Sequence, residues 1–106
     1  MNFKLIITPQ FLKSVKKLSK KYKEIKNDLQ NISKEIENKN FIALGYRCFK
    51  LRLANSSIPT GKSGDFRVIY YKKIEDKIYL LEIYSKTELE NIDDSKIIEI
   101  LKDNNL

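Results

Sequence analysis

The sequence predicts an α+β fold, a two-helix hairpin packed on a small antiparallel-rich sheet, in the order β-α-α-β-β-β with a C-terminal helix. Two observations predict it. The first half carries a single apolar stripe at helical spacing, and the second half switches to the period-two alternation of strands. With 106 residues the chain can form one small core, and no repeat or linker divides it, so a single domain over 1–106 is expected.

Residues 2–7, Asn-Phe-Lys-Leu-Ile-Ile, read as a short strand. Thr8-Pro9 then reads as an N-cap followed by proline at the first helical position. Beyond it Phe11, Val15, Leu18 and Tyr22 follow a 4-3-4 spacing, and Ile25, Leu29, Ile32 and Ile36 continue in phase. As one helix from Pro9 to Glu37 this stripe would run roughly 43 Å at about 1.5 Å per residue. A domain of this size has a radius of gyration near ~13 Å. The stripe is therefore expected to fold back near Ser19-Lys20-Lys21 as a hairpin of two helices.

Phe49, Leu51 and Leu53 alternate with Lys50 and Arg52, as in a strand with one buried face. The stretch from Asn55 to Gly64 is rich in Ser, Pro and Gly and reads as a flexible loop. Strands follow at Phe66–Tyr71 and Ile78–Tyr84, joined by a hairpin turn through Lys73–Lys77. Asp93 or Asp94 is placed to cap a final short helix holding Ile97, Ile98 and Leu101.

Composition excludes several classes. The longest apolar runs, such as Tyr79-Leu80-Leu81, fall far short of the roughly 20 residues of a membrane span. Met1-Asn2-Phe3-Lys4-Leu5 lacks the features of a secretory signal, and the single cysteine, Cys48, suits a reducing compartment, so the cytoplasm is expected. With no histidine and one cysteine, the usual zinc and iron sites have no ligands, and neither metal nor cofactor is expected. The net charge is +7, and the first 26 residues set eight lysines against Glu24 alone. Clustered positive charge attracts phosphates, but lysine is also the ordinary covering of a solvated helix face.

Position in the sheet is more telling than total charge. Alternation puts Lys50 and Arg52 on one face of their strand. If Phe66, Val68 and Tyr70 join the core, Arg67 lands on that same face. Two of the three arginines then sit mid-sheet beside a lysine, where their planar forks suit phosphate. A sheet face of paired charges would read the same way.

The run Lys50-Leu-Arg-Leu, the loop Gly61-Lys62-Ser63-Gly64, the strand Phe66-Arg67-Val-Ile-Tyr-Tyr71 and the stretch Ile78 to Glu88 resemble the RelE/HigB-type toxins of type II toxin–antitoxin systems, most of all the HigB-like branch. The resemblance spans nearly the whole chain and is most specific from the Gly-Lys-Ser-Gly loop to Tyr71. It implies a RelE-like fold and an endoribonuclease that cleaves mRNA at the ribosome, with a cognate acidic antitoxin as partner. It implies catalytic roles for Lys50, Arg52, Arg67, Tyr84 and Lys86, and RNA contacts for Lys62, Ser63 and Glu88.

In such a reaction a ribose 2′-hydroxyl attacks the adjacent phosphate, which needs a base, charge relief and a leaving-group acid. The resemblance assigns charge relief to Arg67 and Arg52 and proton transfer to Lys50 or Lys86, with Tyr84 for stacking or proton donation. Lysine ordinarily titrates near ~10.4, and neighbouring cations must lower that for base duty. Some relatives carry an arginine and a tyrosine where this chain has Thr87 and Asp93, which leaves the acid unassigned.

Gly61-Lys62-Ser63 echoes a phosphate-binding P-loop, but Ser56 stands where that motif needs glycine, and a strand follows in place of a helix. Cys48 has no histidine to activate it and reads as a core residue. Two rival functions remain: a ParE-like gyrase inhibitor without nuclease activity, and an inactive RNA-binding module.

Overall fold

The computed structural model describes residues 3–58, 64–73, 76–89 and 91–106. Five strands form one sheet in the order β1-β5-β4-β3-β2: β1 Lys4–Ile7, β2 Phe41–Gly45, β3 Cys48–Leu53, β4 Phe66–Lys72 and β5 Lys77–Ser85. Only β1 pairs in parallel, along β5, so the sheet is antiparallel-rich and the fold is α+β, as the sequence predicts.

Helix α1 covers Pro9–Ser19. Thr8 caps it, its Oγ1 accepting from the Phe11 amide at 3.3 Å and donating to the Leu80 carbonyl at 2.8 Å. The cap thus fixes the helix start and ties it to β5. The chain turns after Lys20, where the Tyr22 amide still reaches the Leu18 carbonyl at 2.8 Å. Tyr22 anchors that turn: its ring packs edge-on to Phe66, and its hydroxyl donates to Ser85 Oγ at 3.2 Å. A radius of gyration of 12.9 Å leaves no room for the straight rod.

The second helix of the expected hairpin is two pieces, α2 Ile25–Leu29 and α3 Ile32–Glu37. Between them the Gln30 and Asn31 amides bond to Asn27 and Asp28, three residues back, which tightens the turn and ends α2. Asp28 is buried and receives the Ser56 amide at 3.0 Å and the Ser56 hydroxyl at 2.7 Å, so α2 also clamps the chain beyond β3.

Every residue of the predicted stripe turns inward: Phe11, Val15, Leu18, Tyr22, Ile25, Ile32 and Ile36 are buried against Leu51, Leu53, Phe66, Val68, Tyr70 and Ile83, with Leu29 at the edge. The expected strand order lacked β2, a further strand pairing Phe41 with Leu51 and Ile42 with Lys50. Its four apolar residues in a row carry no alternation, and as an edge strand it leaves Ile42 exposed.

The final helix, α4, covers Asp94–Asp103. Asp93 begins it through its backbone, whose carbonyl accepts from Lys96 and Ile97, while its side chain makes no capping bond. Helix α4 buries Ile97, Ile100 and Leu101 against Cys48, Ile69, Leu81 and Tyr84 on the face opposite α1. Strand alternation places Lys50, Arg52 and Arg67 on that face and gives no sign of the cover that α4 lays over it. The face is mostly apolar under α4, and only one end carries the cations.

Candidate functional site

Strand register decides which cations meet. Arg52 lies directly opposite Arg67, and Arg67 directly opposite Tyr84. The Arg52 amide also donates to the Asn40 carbonyl at 3.0 Å, extending the row toward β2. In the neighbouring row Lys50 stands between Ile42 and Ile69. Directly opposed residues share a face, so Lys50, Arg52, Arg67 and Tyr84 lie together, away from Leu51, Leu53, Phe66 and Val68.

Tyr84 reaches that face because of a bulge. Register slips between Ile69 and Tyr70, which pair with Glu82 and Leu80, so Leu81 is the extra residue. Leu80 and Ile83 then both join the helix-side core, although strict alternation would separate them. Glu82 turns to α1, where it accepts from Gln10 at 3.0 Å and from the Ser14 hydroxyl. The bulge inverts the phase of the last residues of β5 and sets Tyr84 beside Arg67.

The cationic face opens into a groove of about 320 Å³ lined by Lys39, Asn40, Phe41, Ile42, Lys50, Arg52 and Arg67. Four cations share it. Like charges on directly opposed positions repel, so two facing arginines need a counter-charge or an anion between them. Asp65 supplies the first: its side chain is only 12% exposed and its Oδ2 lies 3.5 Å from the Arg52 Nε. The Asp65 carbonyl also accepts the Lys86 amide at 3.1 Å, which joins the end of β5 to the start of β4. Arg67 donates to its neighbour's Phe66 carbonyl at 3.3 Å and has no carboxylate partner among the described residues.

Residues 7–103 match the model of the RelE toxin of the RelE/RelB toxin–antitoxin system. The chain belongs to the RelE toxin family. A comparison with curated proteins finds no match. As a RelE-family toxin it is one half of a toxin–antitoxin pair, with a cognate antitoxin as its partner. Among the described residues, no helix is long and apolar enough to cross a membrane.

The other residues singled out from sequence fall in different places in this RelE-family toxin. Lys50 borders the groove, and its Nζ donates to Asn91 Oδ1 at 3.2 Å, on the segment leading into α4. Tyr84 is buried, so a base cannot stack on it in this conformation. Burial raises its phenol above the ordinary value, opposed by the Arg67 charge and the nearby Ile92 backbone. That backbone group stops short of full hydrogen-bond geometry, and the Tyr84 hydroxyl has no partner among the described residues. Lys86 is half-buried just past β5. Glu88 stands apart from the groove, in an ion pair with Lys21 at 3.2 Å. Lys62 and Ser63 lie outside the described residues.

Burial pushes the Cys48 thiol up to about 11, consistent with a core residue and not with a nucleophile. The lysines of α1 are exposed on the other side of the sheet from the groove. Asp65, which pairs with Arg52 beside the groove, and the four lining residues Lys39, Asn40, Phe41 and Ile42 escaped the sequence reading. Asp65 sits inside the Gly-Asp-Phe passage into β4, an isolated acid among basic neighbours, and that was its only signal. Lys39, Asn40, Phe41 and Ile42 belong to the β2 side, which carried none.

Proposed function

We propose that this RelE-family toxin is an endoribonuclease of the HigB-like branch that cleaves mRNA at the ribosome in the cytoplasm, and that it works without metal or cofactor. The observation that carries this reading is the cross-strand row Arg52–Arg67–Tyr84 with Lys50 beside it, holding one arginine free of any carboxylate among the described residues.

The chemistry asked of the groove is in-line attack by a ribose 2′-oxygen on the adjacent phosphorus. The new P–O bond forms as the bond to the 5′-oxygen breaks, leaving a 2′,3′-cyclic phosphate and a 5′-hydroxyl. Arg67 meets the phosphate oxygens whose charge grows in the transition state, and Arg52, held by Asp65, supplies a second fixed donor. Lys50 and Lys86 are the candidates for proton transfer at the 2′- and 5′-oxygens. Tyr84, buried directly opposite Arg67, backs that guanidinium through its position alone, with no hydrogen bond to it among the described residues, and can lend its proton only if the cover around Ile92 lifts. Lys62 and Ser63 would approach the RNA from the loop, while the Glu88 contact is disfavoured by its pairing with Lys21.

An assay of mRNA cleavage by the purified chain, with and without ribosomes, tests the reading. Discrete cuts bearing 5′-hydroxyl ends are expected. Intact RNA together with blocked supercoiling would establish the gyrase-inhibitor reading in its place, and intact RNA with RNA binding alone would establish the inactive module.

A further inference from the structure

We propose that the turn leading into β2 is a second RNA-backbone site of the groove: Lys39 takes a phosphate flanking the scissile one, and Ile42 supports the ribose or base beside it. The proposal rests on the ribonuclease reading and extends it to the substrate's path. Lys39 and Ile42 line the same groove as Lys50, Arg52 and Arg67. Lys39 makes no ion pair among the described residues, although Glu35 is close by. The Glu35 carboxylate is instead used on the turn itself, accepting from Asn40 Nδ2 at 2.8 Å and Asn38 Nδ2 at 3.3 Å.

The turn is held firmly. Lys39 has φ 58°, a left-handed conformation that a side-chain-bearing residue adopts only under constraint. Its amide donates to the Ile36 carbonyl at 3.1 Å, and the Asn40 amide to the Glu35 carbonyl at 3.1 Å. The Asn40 carbonyl then takes the Arg52 amide, which locks the turn to the strand that carries Arg52. Lys39 is thus a cation on a fixed mount. It rises two strands from Arg67, a separation of about 10 Å that suits successive groups of one chain better than a single phosphate.

Ile42 adds a different kind of contact. It is 56% exposed and pairs directly with Lys50, so it presents an apolar surface among cations. Single-stranded RNA offers both chemistries along its length, charge on the backbone and apolar faces on bases and sugars.

The test measures binding of a single-stranded, fully 2′-O-methylated oligoribonucleotide, which cannot be cut, across a range of salt concentrations. Losing one phosphate contact should lower the slope of log affinity against log salt by about 0.7. Lys39→Gln should show that drop, and Lys39→Asn should match it while tolerating the left-handed turn. Lys26→Gln, an equal loss of charge on exposed α2, should leave the slope unchanged. On cleavable RNA, Lys39→Gln and Ile42→Ser should raise KM and spare kcat. A wild-type slope in both Lys39 variants would overturn this proposal and leave the ribonuclease reading standing. A wild-type chain that neither binds nor cuts RNA would overturn both.

Discussion

Asp65 keeps its nearly buried carboxylate 3.5 Å from the Arg52 Nε, and Arg52 stands directly opposite Arg67. One carboxylate on Arg52, and none among the described residues on the facing Arg67, distinguishes the two arginines. Arg52 is partly neutralised and oriented, while Arg67 has no carboxylate partner among the described residues, which under the ribonuclease reading suits it to the phosphate. The distinction follows from register alone: the residue just before β4 reaches the residue just before the end of β3 because the strands run antiparallel.

That arrangement predicts coupling. Asp65→Asn should lower RNA cleavage in the wild-type background and have little further effect once Arg52→Ala has removed its partner. A double-mutant cycle on kcat measures this, with interaction energies between contacting charged groups typically about 0.5–3 kcal/mol. If the effect of Asp65→Asn is undiminished in the Arg52→Ala background, Asp65 serves the fold and not the arginine.

Tyr84 offers a separation of stability from chemistry. Its hydroxyl is buried without a partner among the described residues. Tyr84→Phe removes an unsatisfied polar group and should leave the urea midpoint unchanged or slightly raised. Cleavage should fall if the phenol orients Arg67 or yields a proton. A variant that is equally stable and fully active would exclude both roles.

Burial raises the Tyr70 phenol to about 12, against an ordinary value of 10.0. Between those values the unfolded chain has lost the phenolic proton and the native chain retains it, so the unfolded state binds fewer protons and stability falls with rising pH. The contribution is fully present below about 10 and is lost as pH climbs toward 12. Urea denaturation at a series of alkaline pH values should therefore decline less steeply for Tyr70→Phe than for the wild type.

Much of this was legible in the sequence, for identifiable reasons. The stripe from Phe11 to Ile36 and the alternation of residues 49–53 are periodic, and periodicity reports which side chains share a face. Arg52 and Arg67 could be placed together because both strands keep strict alternation up to that point. The bulge at Leu81 breaks alternation in β5, so the face of Tyr84 could not be read, although Leu80-Leu81 buried in sequence is its trace. Strand β2 was missed because an edge strand with exposed Ile42 and Ala43 needs no polar-apolar pattern. The cover that α4 lays over Ile69 and Tyr84 depends on where the chain goes after Ser85, which local pattern does not specify. The family resemblance reached further than the physics of the sequence on function, and the structure brings Asp65 to Arg52 and Lys39 to the rim of the groove.

The ribonuclease reading stands or falls on Arg67 meeting the scissile phosphate. Expression of wild type and of Arg67→Ala, with circular dichroism to compare their folds and mapping of RNA 5′-hydroxyl ends in the same cells, tests it most directly. Growth arrest and discrete cuts are expected for the wild type, and neither for a fully folded Arg67→Ala. Arrest and cleavage undiminished in that variant would contradict it.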